Sequence, residues 1–581
     1  MQLSSRAKFI LQAEIAIVAL LVGGLFLFIA YMRVPLVGHD FHYLFPYFLA
    51  GSWHIAHQGF LPHFYSPYIC AGAPVYANPH DFSYSVLQIL GLITDPRTAI
   101  LITIILCAFL GFIGWYAFAR DVLRVRHHFS LLFGSAILLN GFYAFHLFVA
   151  HYWMLSFFAT GWILWMIFKD EKNELRGILM RAGLFGILIS ATLHMMGFLA
   201  LLYIFFFLIF ALPFYIVLMR ILHKPVLSFF LIRWPAYLFA ALLLSASKLV
   251  AIWSYMQNFP RTSDFETHTK VYAFIFEAFF PYLSSTQLLY GWGWHENTIA
   301  ISPIVPLGMF LSAFFISSAI NFARRHPING IQMILAVCIP LWIVFSLLKG
   351  MGFPAERLQE LPLLSSLRVS SRFLFLLIIA FSCASIVSLE HLWRRHRLRL
   401  TGCFTYISIF ITISILLFTF HIALPNIRTG GDYEQYRTEW KDFNQNGSAH
   451  KSVSAIENDT IYRCPDPLLE WGGLKNKTLV NPESVFYESN YTLNMVNPAC
   501  YVFPKENNCE PFDLFSMDQS DALNAFVSGE QNWSKMSLLQ IAAFRISFIS
   551  LCLALAIISI VSLRAGFLLY SQHNANSKYR E

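Results

Sequence analysis

The sequence predicts an all-α polytopic membrane protein of about twelve transmembrane helices, GT-C-like in layout, and three observations predict it. Of 581 residues, 57% are hydrophobic and only 12% charged, against roughly 25% charged in an ordinary soluble protein. Apolar runs of about the 20 residues that span a bilayer recur along the whole chain. Between them Lys and Arg sit in short clusters, the pattern that orients helices in a membrane. The formal net charge of +8 therefore points to membrane orientation, and nucleic acid is not expected as a partner.

The first apolar run, from Ala13 to Met32, follows Arg6 and Lys8. Its length and the want of a small-residue cleavage site after it make it a first transmembrane helix, not a secretory signal. Further spans are expected near 98–119, 129–148, 152–168, 178–194, 197–219, 235–256, 301–320, 331–349, 373–391, 402–424 and 541–563. The pairs 129–168 and 178–219 are each split because a chain that crosses must return, and His151 and His194 are the expected turn points.

Arg120, Arg124 and Arg126, then Lys169, Lys172 and Arg176, then Arg220, Lys224 and Arg233, then Arg324 and Arg325, then Arg394, Arg395, Arg397 and Arg399 all fall on one side of this arrangement. That side is expected to be cytoplasmic, with both termini on it. By contrast, no Lys or Arg occurs between Arg33 and Arg97. The expected location is a bacterial inner membrane, with the working face periplasmic or extracellular.

Three domains follow: a transmembrane domain over 1–424 with a long outer loop at 33–97, a small extracytoplasmic domain over 425–540, and a last helix with a cytoplasmic tail over 541–581. Within the first outer loop, Phe41, Leu44, Phe45, Phe48 and Leu49 recur at helical spacing, as do Val86, Leu87, Leu90 and Leu92. Two amphipathic helices along the membrane surface are expected there, joined by the Pro- and Gly-rich stretch 59–80 into a lid. The 425–540 segment holds Cys464, Cys500 and Cys509, enough for one disulfide in an oxidising compartment. Its five N-x-S/T sequons, at Asn446, Asn458, Asn476, Asn490 and Asn532, are chance matches if the source is bacterial.

Several residues in these outer loops and helix ends suit chemistry. Asp40, in Gly38-His39-Asp40-Phe41, can take a proton from a sugar hydroxyl, and it equally suits an N-cap for a helix that begins at Phe41. His39, Tyr65 and Asp81 stand in the same loop as candidate sugar or acceptor contacts. Six His residues lie there (His39, His42, His54, His57, His63 and His80), but without the tighter ligand spacing of a zinc site. Lys248 lies inside the apolar run Leu242–Val250, a costly depth for a cation unless it meets an anion or snorkels to the interface.

Arg368 and Arg372 precede a span on the face that disfavours positive charge. Their i, i+4 spacing allows both guanidinium groups to fork around phosphate oxygens, with Glu356 or Glu360 as alternative partners. Gly291-Trp292-Gly293-Trp294-His295-Glu296-Asn297 offers Trp294 to stack on a sugar ring and Glu296 to bind hydroxyls. Both Trp residues also suit the aromatic belt of a membrane interface.

Taken in order, Gly38-His39-Asp40, the lid segment Gly59-Phe60-Leu61-Pro62 through Gly72-Ala73-Pro74, Leu244-Ser245-Ala246-Ser247-Lys248 to Arg261, and Leu361-Pro362 to Arg372-Phe373 resemble the YfhO-like bacterial membrane proteins of the GT-C superfamily of glycosyltransferases. The resemblance runs over most of residues 1–424 and does not reach 425–540. It implies a sugar donor linked to a polyprenyl phosphate, transfer at the outer face to a glycan or lipid acceptor, and an acidic base in the first outer loop, a position matched by Asp40. This chain has Ser370 where the family string has Pro, and Lys248 where the family position is expected to be Gln.

On that footing Asp40 is the expected base of an inverting transfer, with Lys248, Arg368 and Arg372 holding the donor phosphate. Nothing in the sequence calls for a cofactor or metal. Two competing readings are a transporter or flippase of lipid-linked glycans and a non-catalytic envelope assembly protein. Transporters favour repeated halves and broken mid-membrane helices, whereas this sequence shows no internal repeat and has long outer and short inner loops, as suits an enzyme working on one face.

Overall fold

The computed structural model describes residues 5–33, 41–67, 72–148, 151–169, 175–205, 208, 232–258, 302, 372, 374–395, 401–423, 488–489, 492–511, 513–528, 530 and 532–578. The protein is mostly helical, an arrangement that satisfies backbone groups within each segment without water. Among the described residues, four helices are long and apolar enough to cross a membrane: Pro96–Val122, Leu175–His194, Trp234–Asn258 and Leu538–Leu563. A bent pair, His127–Leu138 with Gly141–Leu147, makes a fifth if it is one span. The expected spans at 301–320 and 331–349, and most of 197–219, lie outside the described residues.

Helix α1 (Ser5–Arg33) packs along α4 (Pro96–Ala117), which ends in a π-helical turn, Phe118–Val122. Asp95 caps α4 by accepting from Thr98 N, and Pro96 opens it. Next come α5 (His127–Leu138) and α6 (Gly141–Phe148), bent by 44°. Asn140 makes that break: its Nδ2 donates to Ile137 O at the end of α5 while its Oδ1 accepts from Tyr143 N at the start of α6. His151 is a turn point as expected, its N donating to His146 O before a 3₁₀ stretch, Tyr152–Ala159, runs into α7 (Thr160–Phe168).

Small residues bring α4 and α7 into close approach: a Cβ on Gly161 would lie 2.6 Å from the Trp115 backbone nitrogen, and one on Gly114 would lie 2.6 Å from Trp162 Cδ1. Helix α8 (Leu175–His194) stops at the other expected turn point, and α9 (Trp234–Asn258) packs against it. Helices α10 (Leu374–Arg395) and α11 (Thr401–Ala423) pack on α5.

One end of the bundle gathers the cations. Arg126 and Arg394 share Glu390, at 2.8 and 2.5 Å, Lys169 reaches Asp121 at 3.2 Å, and Arg233 donates to Lys169 O. Counting 1.5 Å per residue, Lys248 lies about 20 Å along α9 from that end, and α10 runs about 30 Å from Arg394 back to its first residue, Leu374.

The opposite end carries the lid. Helix α2 (Phe41–Gln58) and the short α3 (Val86–Gly91) confirm the helical spacing of the loop, but α2 is not a surface helix. Leu44, Tyr47, Phe48, Leu49, Trp53 and Ile55 are all buried, so α2 belongs to the core. It is bolted to α3 by Gln88, whose Nε2 donates to Phe48 O at 3.0 Å and Ser52 Oγ at 2.7 Å. Between them, a two-residue antiparallel pair, β1 (Tyr65–Ser66) with β2 (Ala73–Pro74), closes a turn that the helical reading of this loop did not include.

After the bundle, β3 (Glu488–Ser489), β4 (Thr492–Val496) and β5 (Leu514–Ser516) form a small antiparallel sheet flanked by α12 (Ala499–Val502) and α13 (Ser520–Val527). This part of the 425–540 segment seats on the lid: Phe503 meets Phe64, Trp533 meets Tyr65, and Phe526 lies 3.2 Å from where a Cβ on Gly72 would stand. Gly72 has φ +110, which excludes other side chains on backbone grounds as well. Helix α14 (Leu538–Lys578) then returns along α8 and α9.

Cys500 and Cys509 form a disulfide across a separation of nine residues, and the third cysteine of the segment, Cys464, lies outside the described residues. Closing so short a loop contributes about 2–3 kcal/mol through the unfolded chain. The double variant Cys500→Ser/Cys509→Ser is therefore expected to open the 497–513 turn to protease. Digestion rates of purified protein with and without reductant check this, and equal rates for wild type and variant would show that the bond carries no stability.

Candidate functional site

The lid is held down by one side chain from the middle of α9. Lys248 and Asp81 are 0% and 1% exposed and lie 3.0 Å apart, Nζ to Oδ2. The same ammonium donates to Tyr76 O at 2.7 Å and Asn78 O at 3.2 Å. An ammonium has three hydrogens, and three loop oxygens take them. The Tyr76 ring lies 4.9 Å from the charge, adding a cation–π contact.

The loop is shaped to present those oxygens. Asn78 Oδ1 accepts from His80 N in a tight turn, while its Nδ2 donates to the Tyr47 hydroxyl at 2.9 Å, fastening the turn to α2. Asp81 turns its second oxygen, Oδ1, to the backbone N and hydroxyl of Ser83. A carboxylate buried among apolar helices needs such partners, and all of those named here come from lid and helix.

A second tier of contacts locks α9 to α14. The Tyr76 hydroxyl meets Ser247 Oγ at 3.0 Å, Gln540 Nε2 donates to Ser247 O at 3.0 Å, and Ser547 Oγ accepts from Ser247 N. Phe544 stacks on Tyr76 and sets its edge to Phe64. Burial pushes the Tyr76 and Tyr84 hydroxyls well above their ordinary range, so both stay protonated. Burial likewise holds the His63 imidazole below its ordinary range, against the opposing pull of Gly59 O and Asp81.

These positions bear on three expectations. Lys248 meets an anion as its depth required, and the anion beside it is the Asp81 carboxylate. Asp81 is sealed by the same pair and by Ser83, which leaves it no face for a sugar. Tyr65 is 6% exposed and packs its ring on Trp533 at 5.2 Å, so it joins lid to sheet and does not line a binding surface. Lys248, Asp81 and Tyr65 thus hold the lid against its neighbours.

Arg372 stands at the head of α10, at the lid end of the bundle, with its guanidinium carbon 4.9 Å from the centre of the Trp153 ring. Trp153 in turn meets His146, which lies inside an apolar run, and His151, the expected turn point. His39, Asp40, Trp294, Glu296 and Arg368 lie outside the described residues. Asp40 immediately precedes Phe41, the first residue of α2.

His194, Ser247 and Gln540 were also missed by sequence reasoning. His194 donates from Nδ1 to Ser190 O at 2.8 Å and lies beside the Tyr76 and Tyr84 rings. Its signal is present in part, because the sequence places His194 at a turn point. Comparison with protein-family models, with curated proteins and with solved structures returns no match.

Proposed function

We propose that this chain is a membrane glycosyltransferase that moves a sugar from a polyprenyl-phosphate donor to an extracytoplasmic glycan or lipid acceptor, with inversion. Asp40 is the base, and Arg368 and Arg372 bind the departing phosphate; Lys248 is withdrawn from that role. The observation that carries the reading is Arg372: a guanidinium poised over Trp153 at the end of the bundle opposite the cation-rich end. Positive charge there runs against the bias that orients the helices, and a guanidinium is the side chain best shaped to meet a phosphate.

The lid supports the reading in a second way. Asp40 leads directly into α2, and α2 is pinned by Tyr47, Phe48 and Ser52 to the lid that Lys248 ties to the bundle. A rigid support of this kind keeps a proton acceptor within reach of a hydroxyl, which general-base chemistry requires. The donor phosphate leaves as an anion, and a planar guanidinium suits it because its N–H groups pair with two oxygens at once.

The test is sugar transfer in isolated membranes that contain or lack the chain, given a radiolabelled polyprenyl-phosphate sugar. Chain-dependent label in a glycan or lipid acceptor, with release of polyprenyl phosphate, is the expected result. Movement of intact lipid-linked glycan across the bilayer without transfer would replace the proposal with a flippase.

A further inference from the structure

At the cation-rich end, three metal-ligating side chains converge from two helices. Glu14 comes from α1, and His127 and His128 from the first turn of α5; one ligand atom from each lies within 4.8 Å of the others. His127 Nε2 meets Glu14 Oε2 at 2.7 Å, and its other nitrogen, Nδ1, lies 2.9 Å from the Tyr116 hydroxyl on α4. His128 Nδ1 is buried without a hydrogen-bond partner among the described residues.

We propose that Glu14, His127 and His128 form a binding site for a divalent metal of the zinc type, clamping α1 to α5 at the cation-rich end. Two imidazoles and one carboxylate suit zinc and its neighbours and disfavour magnesium or calcium, which take oxygen ligands. Water completes the set. The site also has the outer support such centres need: with Nε2 on the metal, the His127 Nδ1–H donates to the Tyr116 oxygen, which fixes both ring and tautomer.

Two arginines, Arg120 and Arg126, border the cluster. Arg126, next in sequence, is turned onto Glu390 at 2.8 Å, and Arg120 donates to Val125 O, so neither guanidinium is paired with Glu14. Glu14 and His127 remain partly exposed, at 31% and 12%, which gives an ion a route in. Nothing in this cluster bears on the lid or on Arg372, so the inference stands apart from the glycosyltransferase reading. It also revises the sequence-based expectation that the chain carries no metal.

Equilibrium dialysis of the full-length protein in detergent against Zn²⁺, with Mg²⁺ as control, tests the site. Wild type is expected to hold one more Zn²⁺ than His128→Gln, a variant that leaves the Glu14–His127 contact in place. Tyr116→Phe is expected to keep the site but weaken it about tenfold. Equal stoichiometry and affinity in wild type, His128→Gln and Glu14→Gln would mean adventitious zinc only and would overturn the proposal. So would binding of Mg²⁺ as strong as that of Zn²⁺.

Discussion

Lys248→Met is expected to unseat the lid, with a loss of about 3–5 kcal/mol, the usual cost of removing one partner from a buried pair. The variant strands the Asp81 carboxylate, 1% exposed, among apolar helices. It also strips the donor from two buried carbonyls, Tyr76 O and Asn78 O. Asp81→Asn added to Lys248→Met is expected to recover only part of the loss. The amide removes the orphaned charge and still accepts from Ser83 through its oxygen, but the two carbonyls stay unpaired. Thermal melting in detergent reads these effects, together with protease sensitivity of the 59–85 segment. If Lys248 held a lipid phosphate instead, Lys248→Met would weaken donor binding and leave the melting temperature unchanged, and that outcome would restore the role it has been denied.

How much of this was visible beforehand differs from element to element. The positive-inside clusters foretold the gathering of Arg126, Lys169, Arg233 and Arg394 at one end, because charge bias is a local property of short loops. Helical spacing found α2 and α3 for the same reason. Depth was not legible: an amphipathic stripe on the 41–58 segment fits a membrane surface or a protein core, and only tertiary packing decides between them. The Lys248–Asp81 pair spans 167 residues, beyond any periodicity argument, yet a weak signal existed. Asp81 sits in a loop without a single Lys or Arg, and Lys248 sits in an apolar run without an acid, so each lacked a local partner and each could be the other's. The disulfide was legible as a pairing among three cysteines but not as the choice of Cys500 with Cys509.

The remaining large effect concerns Asp40. Asp40→Asn is expected to lower the initial rate of sugar transfer by about 10²–10⁴, the range that a positioned general base supplies. The choice of Asn matters, because Asp40 stands where α2 begins and Asp and Asn cap a helix about equally well. The amide thus keeps any capping contact while it removes the only atom able to accept a proton, whereas Asp40→Ala would confound the two roles. Arg372→Gln makes a useful contrast, since it should slow transfer by weakening the hold on the leaving phosphate while the base stays intact. Expression level and melting temperature should match wild type for Asp40→Asn. Transfer by that variant within a few-fold of wild type would remove Asp40 from the chemistry and leave it a cap, and an acceptor hydroxyl would then have to lose its proton elsewhere.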